Sequence, residues 1–414
     1  MDALDVFRGG EKVGTLYDEM PLRFEYAESW CNRPDAIPVD PGLDTAVASH
    51  AGAAVEAYFE NLLPEARVRE FLQLRYQTTT VFGLLKETGG DTAGDLVLVP
   101  RGGHPGAPSY RAASWEEIGA SIGTPSGGLQ EQSEEGIRIS LAGAQTKTSV
   151  LLHADGTPAI PLGTSPSTHI VKPDIKGMEG VWCSALNETM VMKLAAAVGM
   201  GVAETAYQPL IKACVVKRYD RVPKADGNIV RLHQLDLCQL DGKPSTIKYE
   251  ADGGPGLARC YRILRENGVP ASDLKRLLQW VFFNLFVGNH DGHAKNLSLY
   301  YPPGEGARLA PFYDLLSTTL YAGLSRKFAL RLGGENLPGK MDRACIERMC
   351  AELGVKSGYA VKLADEVAAG IAAHTDGVAH ELAKITEPGS EQTMLERLSQ
   401  HILGNAKKVS VRLR

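Results

Sequence analysis

No Cys-x-x-Cys pair occurs in this sequence, although it carries seven cysteines: Cys31, Cys183, Cys214, Cys238, Cys260, Cys345 and Cys350. An odd and scattered set of this kind argues against a disulfide framework and against a zinc ribbon, and it reads as free thiols in a reducing compartment. No apolar run approaches the roughly 18 residues that a bilayer-spanning helix needs. The opening Met1-Asp2-Ala3-Leu4-Asp5 lacks the basic and apolar regions of a secretory signal. The expectation is a cytoplasmic protein with no membrane partner. Positive charge is not in excess either: 44 Lys and Arg stand against 49 Asp and Glu, a formal charge of −5. A broad cationic face for DNA or anionic lipid is thereby excluded, so any nucleic-acid contact is local or supplied by a partner. Internal repeats and low-complexity tracts are absent.

What is present is the composition of an ordinary globular chain, 44% apolar and 22% charged over 414 residues. At roughly 150 residues per domain this length holds two or three packed units. Residues 4–7 and 12–16 flank Gly9-Gly10 as a hairpin, and 22–26 alternate as a strand. Helical patterns follow at 54–63, stopped by Pro64, and at 66–76. Residues 102–128 are rich in Gly, Pro and Ser and read as linker and loop around one short helix at 115–122.

From residue 137 the texture changes. Residues 137–141 and 148–152 read as two strands joined by a turn, and 168–171 as a third that ends at Lys172-Pro173. Residues 185–198 read as a helix and 208–219 as a further strand, after which the pattern is mainly helical. The division expected is 1–100, an N-terminal subdomain; 101–136, linker; 137–220, a strand-rich part; and 221–414, a mainly helical lobe. Strands first and helices later give an α+β class with two lobes.

The segment richest in chemistry follows a helix that begins after Ser272, read as its N-cap. Its apolar stripe is Leu274, Leu277, Leu278, Val281, Phe282, Leu285 and Phe286, and Gly288 ends it. Next comes Asn289-His290-Asp291-Gly292-His293-Ala294-Lys295-Asn296, then a hairpin of 297–301 and 309–312 that delivers Tyr313-Asp314. Phosphoryl transfer needs this order: one carboxylate for the nucleophile's proton, then an amide oxygen and a second carboxylate for Mg²⁺. The Asp-x-x-x-x-Asn spacing is that of a kinase catalytic loop, with Asp291 as base and Asn296 and Asp314 as metal ligands. Two other readings stand beside it: a merely solvated polar loop, and a metal hydrolase ligated by His290, Asp291 and His293.

A kinase also needs a cation for the nucleotide's phosphates, and Lys172 closes an apolar strand where it would sit. Glu188, near the start of the following helix, is placed to orient it, or is simply an acid favoured there by the helix dipole. The turn Ala142-Gly143-Ala144-Gln145 is small enough for backbone N–H groups to approach phosphate oxygens, or is only a hairpin. The run Asp252-Gly253-Gly254-Pro255-Gly256 is equally phosphate-friendly or a sharp turn.

Together these residues resemble the HipA family of bacterial serine/threonine kinases, the toxin halves of toxin–antitoxin pairs. The matching runs are Ser140-Leu141-Ala142-Gly143-Ala144-Gln145-Thr146-Lys147-Thr148, Thr168-His169-Ile170-Val171-Lys172 and Tyr219-Asp220-Arg221. They continue through Arg231-Leu232-His233-Gln234-Leu235-Asp236-Leu237-Cys238-Gln239, Lys248-Tyr249-Glu250-Ala251-Asp252-Gly253-Gly254-Pro255-Gly256, the loop from Asp291 to Asn296, and Leu309-Ala310-Pro311-Phe312-Tyr313-Asp314.

The resemblance implies a two-lobed protein-kinase-like fold with a small N-terminal α/β subdomain and a mainly helical C-terminal lobe. It implies ATP and Mg²⁺ as cofactors, with Lys172 on the phosphates, Asp291 as catalytic residue, and Asn296 and Asp314 on the metal. It further places His293 near the nucleotide and the segment Val216-Lys217-Arg218-Tyr219 at the hinge, where backbone atoms would meet adenine. Ser140 matches a serine that family members autophosphorylate, with loss of activity. The implied partners are a helix-turn-helix antitoxin of the HipB type, operator DNA mainly through that antitoxin, and a protein substrate such as an aminoacyl-tRNA synthetase. A catalytically silent kinase-like subunit of a DNA-bound repressor is the alternative function.

Overall fold

A computed structural model describes residues 2–123, 138, 140 and 145–414. By contact density the chain divides into two compact units. One comprises Met1–Val171, Arg218–Thr246 and Tyr300–Pro302; the other comprises Lys172–Lys217, Ile247–Leu299 and Pro303–Arg414.

In the first unit, β1 (Ala3–Arg8) and β2 (Glu11–Tyr17) form the expected antiparallel hairpin. Gly9 and Gly10 between them both take positive φ, +58° and +88°, as the turn that matches strand twist demands. With β3 (Arg23–Tyr26), β4 (Ser49–Ala51) and β5 (Leu96–Pro100) they make a five-stranded sheet in the order β4-β3-β2-β1-β5. Helices α1 (Ala53–Glu60), α2 (Ala66–Tyr76) and α3 (Val81–Thr88) accompany it, the last capped by Thr80, whose hydroxyl accepts from the Gly83 N–H. Val6, Leu16, Phe24, Phe59, Leu63, Phe82 and Leu98 fill one core, with Leu235 joining from the later segment. Strand β6 (Ser109–Ala112) precedes α4 (Trp115–Gly123) and pairs antiparallel with β8 (Pro158–Leu162), which pairs in turn with β7 (Thr148–Leu152), and β7 continues the ladder to β9 (His169–Pro173) through residues 169–171.

This unit is also held by a buried charge centre that no local pattern announces. The Asp91 carboxylate accepts from Arg218 (3.1 Å), Arg221 (2.8 Å) and the Ser167 hydroxyl (2.6 Å), while Asp220 binds the same two guanidinium groups. Burial alone would raise the Asp91 pKa, but Arg218, Arg221 and Arg231 outweigh it and hold it well below the ordinary carboxylate range. Breaking such a centre leaves buried cations short of a counter-charge. Asp91→Asn is therefore expected to cost about 3–5 kcal/mol of stability, measured as a lower denaturant midpoint. A loss under about 1 kcal/mol would show that the neighbouring carboxylate suffices.

In the second unit, α5 (Ser184–Ala197) is almost wholly buried. The single strand expected over 208–219 is instead a hairpin, β10 (Thr205–Gln208) and β11 (Ala213–Lys217), broken by a helical turn at Pro209–Ile211 and by Lys212 at φ +49°. Pro209 has no N–H for a ladder and its fixed φ suits the first position of a helical turn, so a turn interrupts the strand there. The helical texture expected beyond Asp220 also starts late. Short strands at Arg221–Pro223, Ile229–Arg231 and Gln234–Asp236, all within the first unit, come first, and the long helices begin with α6 (Leu257–Glu266).

Helix α7 (Ala271–Val287) carries the anticipated stripe, with Leu277, Leu278, Val281, Phe282, Leu285 and Phe286 buried. Its N-cap is Pro270 rather than Ser272, and no side chain caps it. Gly288 ends it at φ +74°, where a Cβ would lie 2.0 Å from the Thr319 hydroxyl. After the loop come β12 (Ser298–Tyr300) and β13 (Arg308–Leu309), then α8 (Arg343–Leu353) and the long packed pair α9 (Ser357–Ala383) and α10 (Ser390–Leu413). No helix among the described residues is long and apolar enough to cross a membrane.

Candidate active site

Lys172 is the penultimate residue of β9, and its side chain is buried. Its ammonium donates to Glu188 Oε1 at 2.7 Å and to Asp314 Oδ1 at 2.6 Å. Burial alone would push the ammonium pKa down. The Asp314 and Glu188 carboxylates more than offset this and hold it above the ordinary lysine value, so Lys172 is charged. Glu188 itself is 2% exposed, one turn into α5. Its burial beside an ammonium, rather than in water at a helix start, answers the helix-dipole reading.

Asp314 follows an anchored strand. Phe312 exchanges backbone hydrogen bonds with the 201–203 segment, donating to the Gly201 carbonyl (2.9 Å) and accepting from the Ala203 N–H (2.8 Å). Asp314 then takes a left-handed φ of +62°, which aspartate tolerates better than most residues. While Lys172 holds one carboxylate oxygen, Asn296 Nδ2 donates to the other at 2.9 Å. The Asn296 amide oxygen accepts from the His293 N–H at 3.1 Å.

The loop bearing Asp291 is tied back to α7 by a chain of amides. Asn284 donates to the Trp280 carbonyl (2.8 Å), Asn289 donates to Asn284 Oδ1 (2.7 Å), and the Asp291 N–H donates to Asn289 Oδ1 (3.2 Å). Gly292 passes so close to Trp280 that a Cβ would sit 3.1 Å from the indole. The Asp291 side chain is turned outward and accepts from the Tyr249 hydroxyl at 2.7 Å. His293 is buried, and burial, aided by Lys248, lowers its pKa to about 3, so the ring is neutral. Among the described residues its Nδ1 finds no hydrogen-bond partner.

One unit thus brings together Lys172, Glu188, Asn296, Asp314, His293 and Asp291. The other sequence candidates lie elsewhere. Lys217 is exposed at the end of β11, its ammonium on Glu204 Oε2 (2.8 Å) and its N–H on the Glu204 carbonyl (2.8 Å). Tyr219, in the other unit, donates to Gln234 and packs edge-on to Tyr300. Ser140 is fully buried, its hydroxyl donating to the Leu62 carbonyl at 2.6 Å. Gln145 lies in a bend before β7, while Ala142, Gly143 and Ala144 lie outside the described residues.

The metal-hydrolase reading gains nothing: His290 packs against Phe328, and no group of three or more His, Cys, Asp or Glu among the described residues converges to hold a metal. A magnesium site asks for less, because one or two carboxylates suffice when phosphates and water complete the octahedron. The Asp314 carboxylate and the Asn296 amide, already in contact with each other, fit that requirement. Sequence reasoning missed Tyr249, whose side chain reaches Asp291 from 42 positions upstream. The one available signal was its place in the run Lys248-Tyr249-Glu250 beside a glycine-rich turn.

Residues 4–99 match the model of the HipA N-terminal domain, and residues 139–375 that of the HipA-like C-terminal domain. A Sinorhizobium fredii protein named "Putative kinase Y4mE" is 36% identical over 85% of this chain and 86% of its own length. The serine/threonine-protein kinase toxin HipA of Shewanella oneidensis is 30% identical over 82% of this chain and 80% of its own. Among solved structures, the complex of Shewanella oneidensis HipA and HipB with operator DNA superposes with a TM-score of 0.83. That match covers 98% of this chain and 97% of the other at 24% identity, which establishes the fold. With a matching C-terminal model over more than half its length and relatives of this similarity, the chain belongs to the HipA family.

Proposed function

We propose that this chain is an ATP- and Mg²⁺-dependent serine/threonine protein kinase and the toxin of a toxin–antitoxin pair. The observation that carries the reading is the contact set Lys172–Glu188, Lys172–Asp314 and Asn296–Asp314, all within 2.9 Å, on the same unit as Asp291. In this reading Lys172, fixed by Glu188, neutralises charge on the α- and β-phosphates. Asp314 and the Asn296 amide oxygen hold magnesium, which supplies charge neutralisation at the transferred group. Asp291 accepts the proton of a Ser or Thr hydroxyl, and neutral His293 can donate or accept one hydrogen bond to the nucleotide. For Asn296 to ligate, its amide must give up the bond from Nδ2 to Asp314 and present oxygen instead. A silent subunit would not need a buried lysine neutralised by two carboxylates.

Growth arrest would follow from phosphorylation of a translation component such as an aminoacyl-tRNA synthetase. A HipB-type helix-turn-helix antitoxin would carry the chain onto operator DNA, in keeping with its own net negative charge. Residues 1–100, 101–136, 137–220 and 221–414 are the proposed subdomain, linker, ATP-binding part and C-lobe, in a cytoplasmic protein. The test is incubation of the full chain with ATP and Mg²⁺ in cell extract, followed by phosphosite mapping of enzyme and targets. Absence of any magnesium-dependent phosphosite would overturn the kinase reading.

Autophosphorylation at Ser140 would be an off-switch with a structural cost. The hydroxyl is a donor to a buried carbonyl, so a phosphate there would place about two negative charges against an acceptor and expel the segment. Ser140→Asp is expected to lower stability by about 2–4 kcal/mol. In a thermal melt Ser140→Ala should lose clearly less; equal losses would mean that charge is not the cause.

A further inference from the structure

Two features play no part in the kinase reading: Tyr249 and the turn Asp252-Gly253-Gly254-Pro255-Gly256. We propose that Tyr249 is a positioning residue for Asp291, and that the glycine turn behind it is the clamp that holds it there. The inference rests on the reading of Asp291 as the general base.

The ring of Tyr249 is held on two sides. It meets the buried His293 ring edge-on, with centroids 4.9 Å apart, and the Lys248 ammonium lies 5.5 Å from its centre. Its hydroxyl is thereby aimed at Asp291 Oδ1, 2.7 Å away. The backbone behind the ring is folded tightly on itself: the Tyr249 carbonyl accepts from the Asp252 N–H (3.0 Å) and the Gly254 N–H (2.9 Å).

Each glycine of the turn meets a separate demand. Gly253 takes φ +91°, a conformation open to glycine at little cost. A Cβ on Gly254 would lie 2.4 Å from the Ile247 carbonyl oxygen and 2.8 Å from that of Tyr249. One on Gly256 would lie 2.6 Å from the Glu250 carboxyl carbon. That carboxylate is needed where it is, because it accepts from the Arg331 N–H at 2.6 Å and pins the turn to a second segment. The glycines thus serve close backbone approach, not a phosphate.

The chemistry explains why such a clamp would be worth building. An outward-facing aspartate on a loop rotates among several carboxylate orientations, whereas a general base must point one oxygen at one hydroxyl. A phenol that donates to Oδ1 fixes the carboxylate plane and so the direction of the second oxygen.

The experiment compares the full-length parent, Tyr249→Phe, Gly254→Ala, the double variant and Asp291→Asn. The readout is transfer of radiolabelled γ-phosphate from ATP with Mg²⁺ to the chain and to extract proteins, between about pH 5 and 8. Tyr249→Phe keeps the ring on His293 and removes only the hydroxyl. It is expected to lower kcat about tenfold, the worth of one hydrogen bond to a charged group. KM for ATP should be unchanged. Gly254→Ala is expected to act in the same direction, and the double variant to be no worse than the poorer single. Unchanged kcat in Tyr249→Phe, with Asp291→Asn inactive, would overturn the inference and leave the base assignment standing. Faster transfer by Tyr249→Phe would also overturn it, marking the phenol as a stand-in for the substrate hydroxyl. Full activity of Asp291→Asn would instead remove the reading on which it rests.

Discussion

Asp291→Asn is expected to bind ATP and Mg²⁺ like the parent chain and to transfer the γ-phosphoryl group about a thousandfold more slowly. Binding survives because the groups assigned to phosphate and metal keep their own partners. Lys172 stays on Glu188, and the Phe312 backbone stays on residues 201–203 just before Asp314, whatever stands at position 291. The fold survives because the loop is held by its backbone: the residue 291 N–H donates to Asn289, and the His290 N–H donates to Thr318 Oγ1 at 2.9 Å. An asparagine amide oxygen can also accept from Tyr249, so the side chain keeps its place and loses only its basicity. Nucleotide affinity by calorimetry and transfer rate from radiolabelled ATP separate the two effects. A rate within about tenfold of the parent would show that Asp291 orients the hydroxyl without taking its proton.

Much of the fold was legible because its signals are local. Gly9-Gly10 between two alternating runs specifies a hairpin, and the stripe from Leu277 to Phe286 specifies a buried helix; both are present. The break at Pro209 was legible too, since proline lacks the N–H a ladder bond needs and favours a helical first turn, and the longer reading over 208–219 overrode that signal. The strands between 221 and 236 were not, because three residues each are too few to establish a period of two.

The site divides in the same way. Asp291, Asn296 and Asp314 follow one another in the order the chemistry needs, and Glu188 lies 16 positions after Lys172. Tyr249 and the Asp91 centre depend on contacts across 42 and 127 positions, where a tyrosine or a charged residue looks like any other. Ser140 shows a further limit, because its motif says nothing of a hydroxyl buried against the Leu62 carbonyl.

Asp314→Asn is expected to abolish both magnesium-dependent transfer and growth arrest while leaving the fold intact. Asparagine is the informative replacement because position 314 is left-handed at φ +62°. Alanine would add backbone strain of about 1 kcal/mol there, whereas asparagine visits that region readily. The substitution removes one of the two negative charges facing Lys172. The buried Glu188 carboxylate remains at 2.7 Å, so the ammonium is not stranded, and the lost partner was its more exposed one, 39% against 3%. Stability should therefore change by less than about 1.5 kcal/mol. Metal affinity should fall sharply, since an amide offers no charge to a hard cation that gives up its water reluctantly. Titration of magnesium in the presence of a non-hydrolysable ATP analogue, beside growth curves at equal expression, reads the two consequences separately. Lost metal binding with persistent growth arrest would mean that this chain acts by holding a partner and not by phosphoryl transfer. Unfolding of the variant would mean that Asp314, and not Glu188, is the counter-ion on which Lys172 depends.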